Sequence, residues 1–378
     1  MYKKILILLA TFLLLLNIPS FSLFYFSSAL GSLTSMALMA SLLLVISFEV
    51  KNKFPTLLYT YIVFLIIYFS ISLANYSGSL FDVVTLFTKN ILVLLGSYAI
   101  LKNVQLKYVV YLLALGSLSV ILDNFYFRFN DVIANDVVIE KRRYAGFYLN
   151  PNNAAFVAVL GYLLVLSNSM KYKFLLVLFT FVGLLTLSKY FFLSWFLINL
   201  AYLWYNKSKI FKYAFVVFFG LIALYQNMDR LNLDKNRLDL FYNIVTFNST
   251  DGYVEIESRE ETWAKSIQSI KNKPIIGNGF EYFKKGKYRT DNEGVHNSYL
   301  LVIGEAGILP CLFLVWISIW LLYKSVKMAK YNLTPLLLTI AFLLLLIVSH
   351  NLFDNYIFIF ALSIIIYELQ KPITLSNQ

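Results

Sequence analysis

A single cysteine, Cys311, stands in the whole chain, which excludes a disulfide framework and a cysteine-built metal site. Histidine is nearly as scarce. Neither of the two, His296 and His350, has a second His, Cys or carboxylate at a metal-ligand spacing, so no zinc or calcium site is expected. Charge is thin as well: Asp, Glu, Lys and Arg make up 14% of the 378 residues, against about 25% in a typical soluble domain. There is no low-complexity tract, and no inverted repeat of the kind many secondary transporters carry is visible. What fills the chain is apolar sequence, 60% hydrophobic residues arranged in long runs. The fold class that follows is an all-α polytopic membrane protein.

A hydrocarbon core of about 30 Å needs roughly 20 apolar residues per helix. On that basis about 12 spans are expected, near residues 5–22, 28–49, 56–75, 83–101, 108–124, 148–168, 174–188, 190–205, 211–226, 306–323, 334–350 and 355–369. The chain then divides into transmembrane helices 1 to 9 (1–226), a large extracytoplasmic loop holding short helices (227–297), and transmembrane helices 10 to 12 (298–378).

A net charge of +12 would suggest nucleic acid as partner in a soluble protein, but in a membrane protein the charges are first sorted by side. Lys3 and Lys4 precede the first span, and alternate loops carry Lys51, Lys53, Lys102, Lys107, Lys171, Lys173, Lys207, Lys209, Lys212, Lys324, Lys327, Lys330 and Lys371 against only Glu49 and Glu368. Lysine-rich loops are cytoplasmic, which puts both termini inside and the long loop outside. The opposite face holds all seven arginines in a nearly neutral mixture, and arginine forks on one face suit an anionic ligand there. Lys3-Lys4, the apolar run and Ser20-Phe21-Ser22 also fit a cleaved signal peptide, yet the lysine pattern favours an uncleaved cytoplasmic N-terminus.

Two outer segments exceed turn length, Phe125 to Tyr148 and Asn227 to Asn297. In the first, Arg142 and Arg143 lead to Asn150-Pro151-Asn152, where proline sets the start of the sixth span and leaves an Asn cluster at the rim. In the second, Ser258 to Lys271 reads as a short helix with Ser258 as N-cap and Trp263, Ile267 and Ile270 as its apolar stripe. Lys273 to Phe280 then breaks it with Gly277 and Gly279. His296 to Ala306 reads as a second short helix, stopped before the next span.

His296 is the sharpest candidate for chemistry, since an imidazole titrating near neutrality suits a general base; the alternative is a surface or capping histidine. His350, at the start of the last outer turn, reads as a rim residue. Arg259 opens the loop helix, where side chain and helix dipole can face an anion together; a salt bridge to Glu255 or Glu257 is the alternative. Arg142 and Arg143 either bind that anion or anchor at headgroups. Lys189 interrupts a long apolar stretch, where an unpaired charge is costly and function is the default hypothesis; for Lys89 in the fourth span a functional role, pairing with Asp82 or Asp123, and snorkelling outward are all open.

Five segments together resemble the O-antigen polymerase and ligase family of bacterial envelope glycan assembly, whose layout is similar to that of the C-type glycosyltransferases. They are Gly146 to Ala154, Leu187-Ser188-Lys189, Ser258-Arg259 with Trp263, Ile276-Gly277-Asn278-Gly279, and His296-Asn297-Ser298-Tyr299 with Glu305-Ala306-Gly307. The resemblance implies a metal-independent, cofactor-free glycosyltransferase in the bacterial cytoplasmic membrane. Its donor would be an undecaprenyl-diphosphate-linked glycan and its acceptor a glycan, with membrane lipids and other polysaccharide-assembly proteins as partners and no nucleic acid. It implies that His296 assists the acceptor hydroxyl, that Arg259 and Lys189 hold the diphosphate, and that Arg142, Arg143, Asn150, Asn152, Asn297, Tyr299 and Glu305 complete the substrate site. Position 189 departs from the family, which has arginine there: lysine keeps the charge and loses the fork. Polymerase and ligase share this constellation. A flippase for the same lipid-linked glycan is the rival from another class.

Overall fold

The computed structural model describes residues 2–49, 53–123, 132–134, 137–139, 144–167, 173–205, 259–285 and 295–371. The helices are α1 (Tyr2–Leu15), α2 (Ile18–Tyr25), α3 (Ser28–Ser47), α4 (Thr56–Ser72), α5 (Leu80–Asn103), α6 (Leu106–Leu122), α7 (Pro151–Ser167), α8 (Phe174–Leu185) and α9 (Lys189–Tyr205). After them come α10 (Arg259–Asn272), α11 (Tyr282–Lys285), α12 (Ser298–Ala306), α13 (Ile308–Met328), α14 (Thr334–Val348) and α15 (Tyr356–Leu369). Among the described residues the one departure from an all-helical fold is a small antiparallel ribbon, β1 (Val132–Ala134) with β2 (Val137–Ile139), in which Ile133 pairs Val138. It falls in the outer segment expected between the fifth and sixth spans.

Helices occupy the positions of the expected spans except 211–226, which lies outside the described residues. Among those residues four helices are long and apolar enough to cross a membrane, or five if α1 and α2 form one broken span. Five further apolar helices are shorter, of 12 to 17 residues, which at roughly 1.5 Å per residue gives about 18 to 26 Å. The first expected span, continuous over 5–22, is bent by 56° at its middle. Asn17 takes a left-handed φ of 52°, and Pro19 in the first turn of α2 has no N–H to continue the ladder. Large apolar side chains face outward all along these helices, Met36, Trp204 and Ile319 among them, as lipid-facing surface requires. The chain is a multi-pass membrane protein by these features.

The chain forms two compact units. The first (Met1–Ile7, Met39–Asn103, Ile256–Gln378) packs α5 on α15, α12 on α13, α13 on α14 and α10 on α12. Its core holds an aromatic stack in which Tyr68 lies on Phe353 with ring centroids 4.3 Å apart and Phe64 adjoins both. Polar side chains stitch the helices. Ser363 donates to the Leu94 carbonyl, Ser325 pairs with Thr339, and the buried Asn90 amide donates to the Phe353 carbonyl at 3.0 Å. At one end, Glu49 takes Lys3 and Lys102 at 3.7 and 3.4 Å and the Asn103 amide.

The second unit (Leu8–Leu38, Val104–Glu255) is built around α7. Ala154 to Val165 are buried all round, as befits a helix that is hydrophobic on every face. It packs against α6, α8 and α9, and the Tyr162 hydroxyl donates to Asn199 of α9 at 2.7 Å.

Candidate functional site

In the first unit His296 precedes α12, and Asn297 is the N-cap, its side-chain oxygen accepting from the backbone N–H of Tyr299 at 2.9 Å and Leu300 at 3.1 Å. Capping fixes the backbone just after His296, which sits half-buried at a φ of +45°, a region non-glycine residues rarely adopt. The buried Ser298 hydroxyl donates to the Ser349 carbonyl at 2.7 Å, tying this segment to the end of α14. One residue on, the His350 ring meets the His296 ring with centroids 5.1 Å apart and planes at 68°. The tyrosine at the same motif, Tyr299, shares a hydrogen bond with Ser318 of α13.

Glu305 is 2% exposed and accepts a hydrogen bond from the buried Tyr68 hydroxyl of α4. Its backbone belongs to a second lock. The 273–280 turn lies along the end of α12, with Asn278 N–H on the Gly304 carbonyl at 2.8 Å and Gly279 N–H on the Glu305 carbonyl at 3.0 Å. Ile308 N–H then returns to the Pro274 carbonyl at 2.9 Å, and the Asn75 amide holds the Gly277 carbonyl at 2.8 Å. Gly277 at φ +69° and Gly307 at φ +81° are where the two segments touch: a Cβ on the first would meet the Glu305 backbone, on the second the Ile275 carbonyl. The two sequence motifs around 277 and 305 are therefore halves of one joint.

Arg259 is the first residue of α10, as the sequence pattern predicts, while Ser258 lies outside the described residues. The buried face of α10 differs from the expected stripe. Ser266, Ser269 and Ile270 are the buried positions, whereas Ile267 is 43% exposed, because small serines let α10 approach α12 closely beside Gly304.

A cleft of about 430 Å³ opens in the same unit between the start of α5, the 280–281 turn and the start of α15. Asp82, Lys89, Glu281 and Asp354 give it its charge, and Phe81, Phe280 and Tyr356 its ring surfaces. Lys89 and Asp82, one of the two partners open to it on sequence, line one cavity. Sequence reasoning missed Tyr68, Glu281 and Asp354, for which there was no local signal, and placed His350 at the rim without a partner.

In the second unit the Asn150 and Leu187 motifs come together. The Ser188 hydroxyl donates to the Asn152 side-chain oxygen at 2.7 Å. Asn150 uses its own side-chain oxygen for the Asn152 N–H at 2.8 Å, an Asx turn that starts α7 behind Pro151. Asp123, fully buried, accepts from the N–H groups of Ala145 and Gly146 at 3.1 and 2.9 Å and so fixes the approach to that turn. Lys189 is the exposed first residue of α9, preceded by Leu187 at φ +46°. Arg142 and Arg143 lie outside the described residues.

No curated protein matches the chain. Residues 153–315 match the family model described as O-antigen ligase, a stretch that takes in the Lys189, Arg259, Gly277 and His296 segments. That stretch is similar to the O-antigen ligase family, and it holds in full four of the five segments on which the resemblance to the O-antigen polymerase and ligase family rests, and the fifth in part.

Proposed function

We propose that the protein polymerises repeat units of an envelope polysaccharide on the outer face of the cytoplasmic membrane. It would transfer the growing glycan from an undecaprenyl-diphosphate carrier to the hydroxyl of an incoming lipid-linked unit. The observation that carries this reading is His296, the only histidine of the family-matched stretch, held half-buried at the start of a capped helix. Such an imidazole would take the proton from an acceptor hydroxyl. The leaving diphosphate gains negative charge as the sugar departs. Arg259 at the start of α10 would stabilise that charge by direct pairing, and the family resemblance gives Lys189, Arg142 and Arg143 an anion-binding role of their own.

Asn297, Tyr299, Glu305, Asn150 and Asn152 bond to their own protein in ways that support a holding role beside any contact with sugar. The cleft beside Phe280 favours a neutral, hydroxyl-rich ligand over an anion, since three carboxylates there face one lysine. Transfer of finished glycan to a lipid A core is the second reading, favoured by the description of the matched family model.

Proteoliposomes loaded with lipid-linked repeat units test the assignment. The unsubstituted protein is expected to build a glycan ladder, and His296→Ala and Arg259→Ala to lower the rate by at least about a hundredfold. A ladder from either variant at the unsubstituted rate would remove that residue from the mechanism. Movement of the lipid-linked unit across the bilayer with no new glycosidic bond would replace the enzyme with a flippase.

A further inference from the structure

We propose that His350 is a positioning residue for His296, an inference that rests on the role of His296 as the base. The two histidines are the only ones in the chain, and they meet edge to face although they belong to different helical connections. This contact is not an accident of two loose side chains. Ser298 on one segment donates to the Ser349 carbonyl on the other, so the residue two after His296 and the residue just before His350 are joined by a buried hydrogen bond. The His350 side is anchored further by Ser349 N–H on the Leu345 carbonyl, Asn351 N–H on the Ser349 hydroxyl and Asn355 N–H on the Asn351 carbonyl.

The His296 backbone is held by its N-cap in a region it would not choose. The side-chain torsions carry what conformational freedom the imidazole keeps, and its neighbours restrict that freedom. A second planar ring at 5.1 Å and 68° removes much of it, since an edge-to-face pair is attractive in a narrow range of orientations. A general base must present its nitrogen within about 3 Å of the proton it takes. Loss of the neighbouring ring widens the distribution of ring orientations and lowers the fraction that is productive, with little effect on how tightly substrate binds.

The test uses the full-length protein in lipid nanodiscs, labelled at histidine, where two residues give two imidazole signals. Cross-ring proton contacts are expected in the unsubstituted protein. His350→Phe keeps a ring and is expected to keep a narrow His296 signal and a kcat within about twofold. His350→Ala is expected to broaden that signal and lower kcat about tenfold at unchanged KM. The proposal is overturned if His350→Ala leaves signal and kcat unchanged, or if His350→Phe is as impaired as His350→Ala. Should the alanine variant fail to insert, the cross-ring contact and the phenylalanine variant decide. Full activity of His296→Ala would instead remove the base assignment, and the ring signals would still report whether His350 orders its neighbour.

Discussion

Glu305 shows how one residue can hold a structure together beside any part in a substrate site. The family resemblance implies a place in that site for it, and in the structure its side chain is sealed in the core and receives the Tyr68 hydroxyl, which itself lies on the Phe353 ring. A hydrogen bond contributes about 0.5 to 1.5 kcal/mol net, and leaving a buried partner unsatisfied costs about 1 to 3 kcal/mol. Tyr68→Phe keeps the stack and removes only the donor, so it is expected to lower the melting temperature of the purified protein while leaving the aromatic packing near-UV signal intact. An unchanged melting temperature would mean that the Tyr68 bond adds nothing to stability. Asn297 is similar, since its side-chain oxygen is spent on two backbone N–H groups. The chemistry-bearing residue types were legible in the sequence. What each one touches was not, because Tyr68 lies more than two hundred positions before Glu305 and carries no local mark of the contact.

At the scale of elements, the loop helix, the glycine break and the short helix after His296 were all legible from capping, proline and glycine signals. α10 begins at Arg259, the turn follows at Lys273, and α12 ends before Gly307. Their docking was not legible, because backbone hydrogen bonds between distant segments leave no trace in side-chain pattern. Asn278, Gly279 and Ile308 each donate across the joint between the 273–280 turn and α12, and the approach is close enough to need glycine on both sides. Gly277→Ala meets both a positive φ and the Glu305 backbone, so it is expected to cost more than the roughly 1 kcal/mol of an unfavourable φ alone. Amide hydrogen exchange should then quicken at Asn278, Gly279 and Ile308 before it quickens in α13. Exchange left as slow as in the unsubstituted protein would show that the joint tolerates a Cβ.

At the scale of the whole molecule, lysines separated by long stretches of sequence are expected on one side of the membrane, and the first unit gives that expectation a local form. Glu49 gathers Lys3 and Lys102, and Glu368 gathers Lys371 and the Asn332 amide, so these acids sit among the basic residues of the same expected face. Hydropathy located the helices, but not how many of them cross, since several are shorter than a bilayer core and α1 and α2 are bent apart. Orientation is therefore best tested directly on the chain. In a Cys311→Ser background, which removes the single native thiol, cysteine is placed at the exposed Lys271 of α10 or the exposed Lys330 after α13. A membrane-impermeant maleimide added to spheroplasts is expected to label Lys271→Cys at once and Lys330→Cys only after lysis. Labelling in the reverse order would turn the lysine-rich loops outward, move His296 to the cytoplasmic side, and separate it from any donor presented on the outer face.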